Sequence, residues 1–77
     1  MNKQILNTKD LGGLIRHARK AQGISQDDLA GMSGVGRRFI SELENGKETA
    51  EIGKVLLILG SLGIALNAVL KWHSLND

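Results

Sequence analysis

Residues 25–46, Ser-Gln-Asp-Asp-Leu-Ala-Gly-Met-Ser-Gly-Val-Gly-Arg-Arg-Phe-Ile-Ser-Glu-Leu-Glu-Asn-Gly, read as two short helices around a glycine turn. Ser25 opens the first with a capping-box arrangement: its hydroxyl accepts from the amide of Asp28, and the Asp28 carboxylate reaches back. Asp27 and Asp28 also sit at the positive end of that helix's dipole. Leu29 and Ala30 face inward, Gly34 supplies the left-handed residue of the turn, and Val35 plugs the space between the helices. The second helix, 37–44, opens on Arg37 and Arg38, buries Phe39 or Ile40 together with Leu43, and stops at Asn45-Gly46. A rigid helix pair that presents side chains from the start of its second member is a device for placing a helix in the DNA major groove.

Working outward, a helix is expected over about 9–22, where Leu11, Leu14, Ile15 and Ala18 recur at helical spacing behind a cap from Thr8 or Asp10. Gly12 and Gly13 each weaken it by about 1 kcal/mol relative to alanine, and Gly23 ends it. A further helix runs from an N-cap at Thr49 to Leu62, with Ile52, Val55, Leu56, Leu59 and Leu62 as its apolar stripe. Leu57 and Ile58 widen that stripe beyond what a small monomer covers, which marks a contact with another chain.

After Gly63 the period changes from helical to alternating. Ile64, Leu66, Ala68, Leu70 and Trp72 interleave with Ala65, Asn67, Val69 and Lys71, as in a strand. A lone strand leaves its backbone groups unpaired, so the same segment of a second subunit is the simplest partner, across a two-fold axis. The alternative for this segment is a fifth helix. The expected architecture is thus all-α with a C-terminal strand: residues 1–8 a flexible arm, 9–63 a four-helix domain, 64–77 a dimerisation strand and tail.

Size and composition narrow the classes. The chain has 77 residues, enough for one small domain whose core gains from self-association. It has no cysteine, which removes disulfides and thiolate metal sites and suits the reducing cytoplasm. His17 and His73 lie far apart without a spaced carboxylate partner, so no metal or other cofactor is expected. The formal charge of +2 is modest, but eight of the ten basic residues, Lys3 to Lys47, fall in the first two thirds of the chain, where a basic face suits a polyanion. No secretory leader is expected, because the N-terminus has no apolar h-region. The uncharged run Val55–Leu70 is too short and too polar, with Gly60, Ser61, Gly63 and Asn67, to cross a membrane. No carboxylate pair, nucleophile–base combination or phosphate-binding glycine loop occurs at useful spacing, so an enzyme is not expected.

Three segments together carry a resemblance: Ile24-Ser-Gln-Asp-Asp-Leu-Ala, then Val35-Gly-Arg-Arg-Phe-Ile-Ser-Glu-Leu-Glu-Asn-Gly-Lys, then Leu56 through Gly63. They resemble the XRE, or lambda-repressor-like, helix-turn-helix domains over residues 9–63 without a gap. Within that family, Arg37 through Lys47 and Thr49-Ala-Glu-Ile-Gly-Lys-Val-Leu look closest to HipB-type antitoxins. Those are short proteins whose helical domain ends in a dimerising strand; they repress their own operon and bind a HipA-like serine/threonine kinase toxin.

The resemblance implies a role for each matching residue. Gln26 stands where the family glutamine touches a phosphate or base and braces the recognition helix. Arg37 and Arg38 occupy its first positions, where bases are read; arginine holds guanine O6 and N7 through two parallel hydrogen bonds. Ser41 is the next residue able to reach a base edge. Glu42 either accepts from cytosine N4 or holds Arg38 as its i+4 partner, the second being favoured. Asn45, Gly46 and Lys47 offer amides and a cation to phosphate. Arg19 and Glu44 resemble a structural ion pair tying the first helix to the end of the third. Gly36 stands where many relatives place a capping Ser or Thr. Leu66, Ala68, Leu70 and Trp72 fall to the dimer, with Trp72 as packing or, alternatively, as an anchor for a toxin.

The expected partners are double-stranded DNA bearing an inverted repeat, a second copy of the chain and a HipA-like kinase, with no membrane. The expected function is a sequence-specific DNA-binding repressor, the antitoxin of a HipBA-like operon. Its competitors are a stand-alone controller of phage or restriction–modification genes, and a module that mainly binds a kinase toxin.

Overall fold

The computed structural model describes residues 3–72 as four helices: α1 (Thr8–Ala21), α2 (Gln26–Ser33), α3 (Arg37–Glu44) and α4 (Ile52–Ser61). Residues 1–2 of the expected arm and 73–77 of the tail, His73 included, lie outside the described residues.

Local chemistry places the ends. The cap of α1 is Asn7, not Thr8 or Asp10: its side chain accepts from the Asp10 amide at 2.8 Å, and the Asp10 carboxylate accepts in return from the Leu6 amide at 3.1 Å. Thr8 is drawn into the helix because its hydroxyl donates to the Gly46 carbonyl at 2.8 Å, stapling the start of α1 to the turn after α3. Ser25 and Asp28 form the expected capping box on α2, and Gly34 closes that helix at φ +69°. Gly36 opens α3 with no side-chain cap.

The expected start of α4 at Thr49 is too early. Ala50 packs against the core first, and the helix begins at Ile52 with Glu51 as its cap. At its far end Gln22 reaches across from α1 and donates to the Leu62 carbonyl at 2.9 Å.

The core is one cluster in which Ile15, Leu29, Ile40, Leu43, Ile58 and Leu59 are fully buried, with Ala30, Val55 and Leu62 beside them. Burying a branched aliphatic side chain of this kind contributes about 1.5–3 kcal/mol. α2 packs against both α3 and α4, while α1 lies against α3. Gly12 makes the last contact possible: a Cβ there would overlap the Leu43 carbonyl oxygen and sit 2.7 Å from that of Glu44.

On α4 the buried face is Val55, Ile58, Leu59 and Leu62, which corrects the expected stripe. Ile58 turns fully inward, whereas Ile52 and Leu56 face solvent together with Leu57. Gly53, Lys54, Gly60 and Ser61 fall on the opposite side of the helix, so the pattern sets the general direction of a wide apolar arc, and packing on α2 selects the residues buried within it.

The strand expected over 64–72 is not formed within this single chain, because a ladder needs a neighbour to pair with. Nor is there a helix over the segment. Ile64 packs on the core; Leu66, Ala68, Val69, Leu70 and Trp72 are exposed. Among the described residues no helix is long and apolar enough to cross a membrane.

Candidate nucleic-acid interface

The first turn of α3 stands free of the core. Ile40 and Leu43 point inward, so Arg37, Arg38, Ser41 and Asn45 fall on the remaining surface. Arg37 is exposed, and its Nε lies 3.6 Å from Asp27 of α2. The Arg38 side chain is 90% exposed, with its Nε 3.5 Å from Glu42. Ser41 is half-buried, and its carbonyl accepts from the Asn45 side-chain amide at 2.9 Å, tying down the C-terminal turn.

Glu42 does more than the expected bracing of Arg38. Its carboxylate also accepts from Lys47 Nζ at 3.1 Å, and its carbonyl accepts from the Lys47 amide. The Lys47 hydrogen bond is the main reason that the Glu42 carboxyl sits below its ordinary range; burial opposes it and the Arg38 charge assists. Lys47 is therefore held beside the end of α3 and does not stand as an isolated cation.

What fixes α3 is a buried polar knot at its far end. Arg19 donates through Nε and Nη2 to the two oxygens of Glu44, at 2.6 and 3.0 Å, and through Nη1 to the Ile24 carbonyl at 2.9 Å. Gln26 donates its side-chain amide to the same carboxylate at 3.1 Å. The side chains of Arg19 and Glu44 are only 10% and 3% exposed. Burial pushes the Glu44 carboxyl up, but hydrogen bonds from Arg19 and Gln26, with the charges of Arg19 and Arg16, outweigh it and leave the group below its ordinary value. The Arg19 guanidinium is in turn raised by its bond to Glu44 against the effect of burial. One carboxylate thus locks α1, the start of α2 and the end of α3 together.

The structure separates the expected residues into a buried brace and an exposed front. Gln26 braces through its amide, as does the Arg19–Glu44 pair, while Arg37 and Arg38 project. The sequence reading missed Asp27 as a partner of Arg37 and the Thr8–Gly46 staple. Neither has a local signature, because each joins residues ten or more positions apart on different elements. The Lys47–Glu42 bond spans five residues across a helix end, and the Asn-Gly stop between them was its only hint.

A short helix pair, locked by a buried ion pair and exposing two arginines at the start of its second member, defines a helix-turn-helix domain. Residues 15–69 match the helix-turn-helix family HTH_3, and the chain belongs to that family, in its XRE-type form, a class of DNA-binding transcription regulators and not of enzymes. The chain is 52% identical over 67 residues to the uncharacterized HTH-type transcriptional regulator y4mF of Sinorhizobium fredii, covering 87% of this chain and 88% of that one. Its fold is similar to that of the protein in a HipB-O4 20mer complex, with a TM-score of 0.83 at 22% identity over 92% of this chain and all of the other. A structure of a HipA-HipB-O2-O3 complex holds a chain equally similar, with a TM-score of 0.84 at 22% identity over the same shares.

Proposed function

We propose that this chain is a homodimeric, sequence-specific repressor that controls its own operon as the antitoxin of a HipBA-like toxin–antitoxin pair. The observation that carries the DNA-reading part is the exposure of Arg37 and Arg38 on a helix whose other end is immobilised by Arg19, Gln26 and Glu44. In this reading each subunit places α3 in the major groove, with Arg37 or Arg38 gripping a guanine and Ser41 next along the groove. Asn45, Gly46 and Lys47 then lie toward phosphate. Two recognition helices about 34 Å apart read the half-sites of an inverted repeat.

Dimerisation is supported by apolar side chains left uncovered on the single chain: Ile52, Leu56 and Leu57 on α4, with Leu66, Leu70 and Trp72 beyond it. Pairing of 64–72 with its copy would satisfy the open backbone and cover them. The antitoxin role rests on the likeness to HipB, which has been seen in a complex with an O4 20mer and in a complex with HipA, O2 and O3.

A gel shift on the promoter DNA upstream of the gene, followed by footprinting with Arg37→Ala and Arg38→Ala, tests the reading. Loss of base preference at one position per half-site is expected, and unchanged preference in both variants refutes it. Co-purification with a kinase encoded beside the gene tests the antitoxin role; a repressor with no such neighbour is a stand-alone controller instead.

A further inference from the structure

The two guanidiniums at the start of α3 are engaged alike. Arg37 meets Asp27, which comes from the first turn of α2, and Arg38 meets Glu42, one turn further along α3. In both pairs the nitrogen nearest the carboxylate is Nε, at 3.6 and 3.5 Å. A guanidinium offers five N–H donors in a rigid plane. When its Nε–H faces a carboxylate, the two terminal nitrogens remain for a guanine, whose O6 and N7 need two donors at fixed spacing. A phosphate makes no such demand and is satisfied by any edge.

Fold stability gives little reason for these pairs. Asp27, Arg37 and Arg38 are exposed and Glu42 half-buried, and ion pairs so open to water contribute little to folding. Carboxylates beside a DNA-reading surface also repel the phosphates that supply most non-specific affinity. Their placement makes sense as discrimination.

We propose that Asp27 and Glu42 are specificity-determining positioning residues. They attract Arg37 and Arg38 with Nε nearest the carboxylate, leave the terminal nitrogens for a base edge, and make a bare phosphate a poorer ligand than a guanine. The proposal rests on the DNA-reading function given above. Glu42 has a second load, because it also holds Lys47. Asp27 has no such second partner among the hydrogen bonds and ion pairs described, which makes it the cleaner probe.

The experiment starts from a pool of randomised duplexes, from which the full chain selects its preferred sequence. Affinity is then measured for that duplex and for a scrambled one at several salt concentrations. For Asp27→Asn the scrambled duplex should bind more tightly, and the preference for the selected duplex should fall about two- to five-fold, the range an exposed ion pair can supply. The salt slope on scrambled DNA should steepen by about 0.9, one added phosphate contact. Glu42→Gln should move in the same direction. In an Arg37→Ala background, Asp27→Asn should leave the preference where Arg37→Ala put it.

The proposal is overturned if Asp27→Asn and Glu42→Gln shift both duplexes by the same factor, which is a net-charge effect only. It is also overturned if Asp27→Asn still lowers the preference without Arg37. Failure of the underlying reading looks different: Arg37→Ala and Arg38→Ala would then select the same duplex as the unsubstituted chain.

Discussion

Arg19 of α1 and Glu44 at the end of α3 close a two-pronged hydrogen bond 25 residues apart in sequence, with almost no solvent access. Removing one partner leaves the other buried and uncompensated, which costs about 3–5 kcal/mol. Glu44→Gln keeps the shape and Gln26 as a neighbour, so the lower end of that range is expected. A chain this small has about 3–5 kcal/mol to lose, so urea denaturation followed by circular dichroism should find Glu44→Gln close to unfolded.

The same carboxylate sets the acid limit. Its value in the fold lies below its ordinary one, so its stabilising contribution is complete above the ordinary range near ~4.3 and is lost as pH falls through the folded value. Urea midpoints of the unsubstituted chain should therefore drop with acidification below about pH 4.3. Midpoints that stay level between about pH 5 and pH 3 would remove Glu44 from that account.

Gly12 and Gly13 are neighbours in α1 with opposite expected behaviour. A methyl at Gly12 collides with the carbonyls of Leu43 and Glu44 on α3, so Gly12→Ala should lose about 1–3 kcal/mol despite better helix propensity. Gly13 has nothing within 4 Å of such a methyl, and Gly13→Ala should gain about 0.5–1 kcal/mol. Thermal melts of the two variants decide it.

Gly36 caps α3 with extended backbone (φ −77°) and open space around it, yet offers no side chain to the helix amides. Gly36→Ser should add about 0.5 kcal/mol to stability by supplying that acceptor. The measurement is the shift in urea midpoint at constant slope.

The uncovered segment after α4 predicts association. Leu66→Lys with Leu70→Lys should turn a dimer into a monomer in sedimentation velocity, without loss of helical signal, because neither side chain contributes to the core of the single chain. A variant that stays dimeric places the interface elsewhere.

Reading along the chain gave the helix pair, its glycine turn, the Ser25–Asp28 box and the identity of the two projecting arginines. Those features are local: caps, left-handed glycines and helical spacing act within four residues of one another, so a linear pattern suffices to find them. The Arg19–Glu44 pair was legible too, through family resemblance and not through spacing.

The buried face of α4, the staple from Thr8 to Gly46, the cap from Gln22 to Leu62 and the meeting of Asp27 with Arg37 were decided only by the tertiary structure. Each depends on the angle and distance at which two elements come to rest. Where the apolar arc of a helix is wider than its neighbours can cover, as on α4, the sequence sets the general direction of the arc and the surface it lands on chooses the residues within it. By itself the sequence determined which residues start and stop α2 and α3, and so which guanidiniums stand at the front of α3. Packing determined what those guanidiniums lean against.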